Sequence, residues 1–261
     1  MTTSTPVSSF RIGRQRLDLR FRTARLVART WLTSTYVRIR LEGPDLIGFD
    51  SPGSDDHIRV FFPDAAPTSV EELRAAPNRE YTPLAWDGDG GWLEIEFAVH
   101  DGGVAAQWAA RAPLGSVAGV GGPRGSMLIE GTPGAWFLAG DETSVPAMRR
   151  FASTMDAAAV GRILVEVVDA DHELPIDAPP GVVVEQLHRG TDVPGSALAG
   201  RLDALGADDR PAGDVFAFVA AEQAIVKPAR ALLQERWALP ADTFVAKGYW
   251  KRGESEYHAP H

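Results

Sequence analysis

The chain has 261 residues, 44% of them hydrophobic, with a formal net charge of −9 and no cysteine. This length suits two domains with buried cores, and the lack of cysteine excludes disulfides, thiolate metal sites and a cysteine nucleophile. The acidic balance argues against nucleic-acid binding, and no apolar run is long enough to span a bilayer. We therefore expect a cytoplasmic protein that does not insert into a membrane.

The first half of the sequence alternates polar and apolar residues in the manner of amphipathic strands. The alternation occurs in residues 36–41, 58–62 and 92–99, which are separated by turns rich in Gly, Pro and Asp. Such a succession of short strands predicts an antiparallel β-barrel. The one clear helix of this half is predicted for residues 104–112.

Within this half, residues 79–82 bring a guanidinium (Arg79), a phenol ring (Tyr81) and a hydroxyl (Thr82) close together. An FAD molecule needs a flat side chain under its ring, a hydrogen-bond donor at the ring edge and a cation that can bind its pyrophosphate through two N–H groups. The stretch therefore predicts a flavin site. An exposed strand that carries a tyrosine is the alternative.

Two glycine-rich turns of the first half are candidates for binding anions. Gly103 precedes the predicted helix, whose first backbone N–H groups can receive a phosphate, although a plain helix start has the same pattern. The turn at 121–126 carries Arg124, which can face an anion or only solvent. Its glycine spacing and Pro123 exclude a Rossmann fingerprint.

After residues 131–134, continuous apolar strands alternate with helical segments. This pattern predicts a doubly wound α/β domain, so we expect a barrel domain at 1–132 and an α/β domain at 133–261. The segments are, in order, 135–139, 145–155, 163–168, 182–187, 197–205, 215–220, 230–237 and 244–246.

A polar loop at residues 140–144 follows the first strand of the α/β half. Ligands of open α/β sheets bind at the carboxyl ends of strands, so this loop is well placed for a ligand. Thr143 or Ser144 can also cap the following helix, which has Pro146 in its first turn, and capping alone explains the loop equally well.

Six segments in order resemble the siderophore-interacting protein family, whose members are FAD-dependent ferric-siderophore reductases of the ferredoxin-reductase superfamily. The resemblance covers nearly the whole chain and implies an N-terminal antiparallel β-barrel that binds FAD. It further implies a doubly wound α/β domain that binds NAD(P)H, with the C-terminal segment returning to the flavin. The segments are 56–63, 79–83, His100 with the helix through Trp108, 122–126, 139–143 and 247–253.

The resemblance also implies which residues hold the cofactor. It assigns Arg79 to the pyrophosphate, Tyr81 to the isoalloxazine ring and Thr82 to the N5 region of the flavin. The rest of the FAD would be held by His100, Gly103, Val104, Ala105 and Ala106.

The same resemblance brings polar residues of the second half to the flavin, at the point where the nicotinamide enters: Asp141, Glu142 and Thr143. Glu222 lies in a turn that resembles the family's Ala-Gly-Glu turn. Trp250 either covers the isoalloxazine or is a core residue.

Three departures from the family pattern bear on nicotinamide use more than on flavin use. Leu84 stands where the family often has arginine, so one cation is missing. Ala221 stands where glycine is usual, which narrows the approach to the backbone. The loop after His100 is one residue shorter than usual.

The implied chemistry is transfer of electrons from NAD(P)H through FAD to Fe(III) in a ferric siderophore. Reduction releases iron because hard oxygen ligands bind Fe(III) better than Fe(II). A protein of net charge −9 needs a local cationic patch to receive an anionic siderophore, although each candidate can equally be a solvated surface charge. The candidates are Arg59, Arg124, Lys247, Lys251 and Arg252.

The acidic stretch 168–173 favours NADH, because it would repel a 2′-phosphate. Six scattered histidines predict no resident metal site. We expect a monomer. Three alternatives stay open: a ferredoxin as the electron donor, another flavin reductase on the same fold, and a non-catalytic protein that binds flavin or siderophore.

Overall fold

The structure, a computed structural model, describes residues 9–100, 103–254 and 257. Seven strands of the first half form one antiparallel sheet in the order β5-β4-β8-β2-β3-β7-β6. They are β2 Phe21–Thr33, β3 Tyr36–Glu42, β4 Ile58–Phe61, β5 Asn78–Tyr81, β6 Ala85–Asp87, β7 Trp92–Ala98 and β8 Val117–Gly121. Two further strands, β1 Phe10–Arg16 and β9 Gly125–Gly131, pair as an antiparallel ribbon. This is the predicted barrel-like architecture.

The alternation along the strands sorts their side chains between core and solvent. In β3, for example, Val37, Ile39 and Leu41 are buried, while the intervening arginines are partly exposed. Burial of this apolar face stabilises the sheet by about 25 cal/mol per Å² removed from water.

Two helices accompany the barrel, α1 Val70–Ala75 and α2 Val104–Arg111. Of these two helices, the sequence pattern predicts only α2, to within one residue. Helix α1 is one and a half turns long, too short for a clear 3.6-residue pattern. The sequence signal for its N-terminus is a serine followed three residues later by a glutamate. In the structure, Ser69 accepts a hydrogen bond from the N–H of Glu72 at 3.1 Å.

Five parallel strands of the second half have the order β12-β11-β10-β13-β14, as a doubly wound α/β domain requires. They are β10 Ala135–Asp141, β11 Val160–Val167, β12 Gly181–His188, β13 Val215–Glu222 and β14 Phe244–Trp250. The chain winds outward in both directions from β10 and β13, so the switch point lies between their carboxyl ends.

Helices cover both faces of this sheet: α3 Val145–Thr154, α4 Ser196–Ala204 and α5 Val226–Arg230, which continues as a π-helix over Ala231–Arg236. All residues of β10 and β13 are buried, as expected for central strands. The structure extends β10 and β14 beyond the predicted ends at 139 and 246. The predicted boundary at residue 132 falls between β9 and β10 and stays a prediction.

Buried polar contacts join the two halves. Arg150 of α3 donates to the Ser51 hydroxyl at 3.1 Å and the Pro83 carbonyl at 3.2 Å, and also to the Ser51 carbonyl. Its neighbour Arg149 donates to both carboxylate oxygens of Glu96 on β7, at 2.5 and 2.7 Å. These arginines fix α3 against the barrel. Among the described residues, no helix is long and apolar enough to cross a membrane.

Candidate functional site

The aromatic part of the candidate site lies at the end of β5. Tyr81 is paired with Ile58 of β4, and its ring packs against Phe97 with centroids 4.2 Å apart and perpendicular to Phe62 at 6.2 Å. The ring is only partly buried, but this burial raises the pKa of the phenol, which stays neutral. Tyr81 therefore offers a flat, uncharged aromatic surface supported from behind.

The two other residues of the motif flank Tyr81 in the sequence. Thr82, which follows β5, is 6% exposed. Arg79 is partly exposed, and its Nη1 donates to the Asn78 carbonyl at 2.6 Å. Leu84, two residues beyond Thr82, donates its backbone N–H to the Glu94 carbonyl at 2.9 Å, which anchors the segment to β7.

Helix α2 begins beside His100 without a side-chain cap at Gly103. A Cβ at Gly103 would lie 2.9 Å from Cε1 of His100, so glycine lets the ring approach the helix start. Ala105 and Ala106 are buried against the barrel, while Val104 is exposed. Because glycine has no side chain, the backbone N–H groups of the first turn receive no capping hydrogen bond from Gly103.

A cavity of about 370 Å³ lies next to His100, along the middle and the C-terminal end of this helix. His100 and Arg111 give its lining a polar and cationic side, and Trp31 gives it an aromatic side. The lining residues are Trp31, Val99, His100, Gln107, Ala110 and Arg111.

The polar part of the site in the second half is organised around Asp141 at the carboxyl end of β10. One carboxylate oxygen accepts the N–H of Thr143 at 3.0 Å and its hydroxyl at 2.5 Å. The other accepts the N–H of Glu222 at 3.0 Å and Nε1 of Trp250 at 2.8 Å. Asp141 therefore ties the ends of β10, β13 and β14 together at the switch point.

Burial raises the pKa of Asp141, and the hydrogen bonds from Thr143 and Trp250 oppose this effect. The pKa of Glu142 is raised by burial and by the charge of Asp141, while Arg189 lowers it through a contact of 2.7 Å. Arg189 also lies 3.8 Å from Glu166, whose carboxylate accepts the N–H groups of Gly195 and Leu198 at 2.6 and 2.7 Å. This edge is acidic, and its carboxylates are already engaged.

The predicted cap of α3 differs in detail. Ser144 stands at the cap position, but its hydroxyl donates to the Asp141 carbonyl at 2.9 Å. Asp141 itself accepts from Thr143 and so starts the preceding turn, Glu142–Ser144. An aspartate at the strand end is the stronger acceptor for backbone N–H groups.

The last strand brings residues of the second half to the barrel. Tyr249 donates a short hydrogen bond to Asp55, whose other oxygen pairs with Nζ of Lys247 at 2.6 Å. Thr82 lies close enough to the Tyr249 phenol to lower its pKa, against the larger effect of burial, which raises it. Trp250, partly exposed, lies outside the core clusters and donates to Asp141. Strand β14 thus contacts both the flavin motif and the switch point.

The predicted cations have different surroundings. Arg59 pairs with Glu80 at 2.9 Å, Lys247 with Asp55, and Lys251 with Glu254. Arg124 and Arg252 are exposed and form no ion pair among the described residues. Exposed cations interact with a charged ligand at little cost in desolvation.

Ala221 is fully buried and packs in the core of the second half. Its methyl group therefore points into the core, away from the exposed edge of the sheet. Across the described ranges, no three His, Asp or Glu residues are grouped so as to hold a metal ion.

Four residues of this region were not predicted from the sequence: Asp55, Glu96, Arg150 and Tyr249. Asp55 and Arg150 each adjoin a second residue of the same charge, and Glu96 and Tyr249 lie in strands of mixed polarity, so none of them stands out in the sequence. Tyr249 and Asp55 lay within or beside the segments of the family resemblance, and their partners are distant in sequence.

A barrel followed by a five-stranded parallel sheet, with polar side chains at the junction, is the ferredoxin-reductase-like fold. Solved ferredoxin reductases of below 25% identity share this fold. The model of the siderophore-interacting FAD-binding domain matches residues 25–127, and that of the siderophore-interacting protein matches residues 134–253.

Three similar proteins agree with these matches. Ferric vibriobactin reductase ViuB of Vibrio cholerae is 32% identical over 249 residues, covering 89% of this chain and 90% of the relative. The NADPH-dependent ferric-chelate reductase of Escherichia coli is 39% identical over 158 residues, covering 56% of this chain and 62% of the relative. A siderophore utilization protein from T. fusca superposes with a TM-score of 0.84 at 31% identity, covering 95% of this chain and 98% of the other. The chain belongs to the siderophore-interacting protein family.

Proposed function

We propose that this protein is an FAD-dependent reductase that uses NAD(P)H to reduce Fe(III) in a ferric siderophore to Fe(II). The observation that carries this proposal is the double contact of β14. Tyr249 binds Asp55 beside Thr82, while Trp250 donates to Asp141 at 2.8 Å. A flavin held at Thr82 and a nicotinamide at the switch point would therefore be neighbours.

The residues of the barrel fit FAD in three respects. Tyr81 offers a neutral ring that Phe97 supports, and Arg79 supplies a guanidinium two residues away. The start of α2 at Gly103 offers backbone N–H groups and the positive end of the helix dipole to a pyrophosphate. We assign the remaining FAD contacts to His100, Val104, Ala105 and Ala106.

The chemistry that bound FAD would supply is to accept two electrons together, as a hydride, and to release them one at a time. The protein's own contribution is to hold the flavin and the nicotinamide next to each other and to exclude water from the junction. Trp250 and the turn Glu142–Ser144 lie at that junction, where we place the nicotinamide.

We favour NADH over NADPH because the loop after β11 is acidic. Asp169 in this loop is about half exposed, and its carboxylate contacts His172 at 2.6 Å. The negative charge of Asp169 would repel a 2′-phosphate placed beside it. The Escherichia coli relative is named as NADPH-dependent, so both nucleotides belong in the test.

We assign to Arg124 and Arg252, whose side chains are exposed, the attraction of the anionic substrate. The three other candidate cations, Arg59, Lys247 and Lys251, are already paired with carboxylates. An unpaired exposed cation contributes to steering at long range, whereas a paired one contributes much less.

The test is reduction of a panel of ferric hydroxamates and catecholates, followed with a ferrous-iron trap under anaerobic conditions. We expect reduction with NADH that requires added or retained FAD. Reduction only with a reduced ferredoxin would change the donor and keep the flavin assignment. FAD binding without reduction of any chelate by either donor would contradict the enzymatic proposal.

A further inference from the structure

A hydroxyl group of the barrel half contacts the turn Glu142–Ser144, where we place the nicotinamide. It belongs to Tyr36, the first residue of β3, which is 2% exposed. The hydroxyl oxygen lies 3.1 Å from the backbone carbonyl oxygen of Glu142 and 3.1 Å from Oε2 of Glu96 on β7. A carbonyl and a carboxylate both accept hydrogen bonds, so the Tyr36 hydroxyl is the donor in each contact.

The carbonyl of Glu142 lacks the donor that an α-helix ordinarily supplies. In a helix, a carbonyl accepts the N–H of the residue four positions later, which for Glu142 is residue 146. This residue is Pro146, in the first turn of α3, and proline has no N–H. The Tyr36 hydroxyl therefore provides, from the other half of the molecule, a donor that the helix cannot provide.

The peptide between Glu142 and Thr143 is consequently held at both of its ends. Its carbonyl accepts the hydrogen bond of Tyr36, and its N–H, which belongs to Thr143, donates to Oδ1 of Asp141 at 3.0 Å. Tyr36 belongs to the barrel and Asp141 to the parallel sheet. The orientation of the turn thus depends on a contact from each half.

The surroundings of Tyr36 keep its hydroxyl protonated and available to Glu142. The carboxylate of Glu96 already accepts Nη2 of Arg38 at 2.6 Å and Nη1 of Arg149 at 2.7 Å, so it does not depend on the Tyr36 proton. Burial raises the pKa of Tyr36, as does the charge of Glu96, while the charge of Arg149 lowers it. Tyr36 is therefore a neutral hydrogen-bond donor at neutral pH.

We propose that Tyr36 is a positioning residue for the nicotinamide, because its hydrogen bond to the Glu142 carbonyl holds the turn Glu142–Ser144 in the orientation that receives NAD(P)H beside the flavin. This inference rests on the proposed function. Tyr36 acts through the turn and not on the barrel's flavin motif, so it affects nucleotide binding and leaves FAD binding unchanged.

The first test needs neither FAD nor activity. Glu142-Thr143 is the only Glu-Thr step in the sequence, so protein isotope-labelled at glutamate carbonyl carbons and threonine nitrogens gives a single carbonyl-to-amide NMR correlation, from this peptide. We expect this signal to shift in Tyr36→Phe, which keeps the ring and removes the hydroxyl. An unshifted signal would overturn the proposal, because the hydroxyl would then make no hydrogen bond to the carbonyl.

The second test measures nucleotide binding by the FAD-loaded protein. Anaerobic bleaching is followed at increasing concentrations of the nucleotide that the wild type uses, which gives a dissociation constant and a limiting rate. In Tyr36→Phe, we expect the dissociation constant to rise about fivefold to tenfold, because a hydrogen bond that orients the turn is lost. The limiting rate should change less than about threefold, because saturating nucleotide selects the competent orientation. FAD affinity should change less than about twofold.

Glu94→Gln is the matched control. Glu94 lies on the same strand as Glu96 and pairs with Arg40 of β3 at 2.8 Å. Among the described residues, the hydrogen bonds and ion pairs of its side chain stay within the barrel half. This variant should have the wild-type NMR signal and the wild-type dissociation constant. Equal effects of Glu94→Gln and Tyr36→Phe would refute a specific role for Tyr36.

Two further outcomes separate this inference from the proposed function. If nucleotide bleaches the wild type and the dissociation constant is unchanged in Tyr36→Phe, the inference is wrong and the proposed function stands. The same holds if Tyr36→Phe loses FAD and nucleotide affinity in parallel, because that result indicates a general loss of structure. A wild-type protein that binds FAD but is bleached by neither NADH nor NADPH refutes both the use of NAD(P)H and the role of Tyr36.

Discussion

The barrel side and the sheet side of the junction satisfy their polar groups in opposite ways. On the barrel side, Tyr81 is partly exposed and α2 begins at Gly103 without a side-chain cap. On the sheet side, Asp141 is 1% exposed and accepts hydrogen bonds from Thr143, Glu222 and Trp250. The first side has groups suited to contact a ligand, and the second is a hydrogen-bonded scaffold complete in itself.

This difference indicates two kinds of binding. A surface of aromatic ring, guanidinium and helix N-terminus can hold a large anionic cofactor throughout many turnovers. A scaffold whose carboxylates are already engaged gives a ligand few new polar contacts, which suits a nucleotide that enters and leaves. The two sides work together only if their relative position is fixed. Arg149, Arg150 and β14 fix it through hydrogen bonds to the barrel side.

The largest expected effect comes from loosening the joint between the sides. Arg150→Met removes the donor that serves Ser51 and Pro83 and leaves their carbonyls buried without a partner. We expect the free energy of unfolding to fall by about 3 kcal/mol, measured by urea denaturation.

Arg162→Met is the control for that change, because Arg162 only approaches Glu185 at 4.0 Å near the surface. It should change the free energy of unfolding by less than about 0.5 kcal/mol. Equal effects of the two variants would show that Arg150 does not join the halves.

On the barrel side, Tyr81→Ala removes the proposed stacking surface. FAD affinity should fall about 30-fold, or about 2 kcal/mol, because the aromatic contact is lost. Fluorescence titration of the FAD-free protein measures this, and Tyr81→Phe should bind FAD within about threefold of the wild type. If Tyr81→Ala retains full affinity, Tyr81 is not the stacking ring.

On the sheet side, Asp141→Asn should affect the nicotinamide alone. The amide has one accepting oxygen, and its NH₂ group faces the N–H donors of Glu222 or Trp250. We expect the KM for NAD(P)H to rise about tenfold, with FAD affinity changed less than about twofold. A matching loss of FAD affinity would erase the distinction between the two sides.

The sheet side should also respond to pH. Burial raises the pKa of Glu166 and of Asp141, so the folded state binds protons more tightly than the unfolded chain. The free energy of unfolding should therefore increase as the pH falls from neutral through the raised values, and stop increasing near the ordinary carboxyl value of about 4.

Urea midpoints between pH 7.5 and 5 should show this gain, on the order of 1 kcal/mol, and Glu166→Gln should reduce it. Carboxylates with a lowered pKa, such as Asp169, lose their contribution only below the ordinary value and do not oppose the gain in this range. A steady loss of stability from pH 7.5 to 5 would contradict the role given to these buried carboxylates.

The smallest expected effect concerns the substrate. Arg252→Ala should raise the KM for an anionic ferric chelate about threefold with kcat unchanged, and added salt should abolish the difference. Arg14→Ala removes another exposed charge, on β1, and should leave the KM unchanged. Equal effects of the two variants would mean that only net charge matters.

The periodic parts of the fold were predictable because they repeat. The period of two in β3 and the continuous apolar run of β10 report directly which faces are buried. Short α1 and the π-helix at Ala231–Arg236 have no such repeat, so they were missed or predicted as ordinary helix.

The site was predictable only where its residues adjoin in sequence. Residues 79–82 and 140–144 carry their polar groups within a few positions. The pairs Tyr249 with Asp55 and Arg150 with Ser51 are 194 and 99 residues apart, and neither side chain signals its partner. Such contacts depend on how the two halves dock, which periodicity does not encode.

A single anaerobic titration tests the central claim most directly. The protein is reconstituted with FAD, freed of excess cofactor, bleached with NADH or NADPH, and then mixed with a ferric siderophore in the presence of a ferrous trap. We expect one FAD per chain, bleaching by one equivalent of nucleotide, and return of the yellow colour with two Fe(II) released per chain. A chain that remains colourless after incubation with FAD would contradict it.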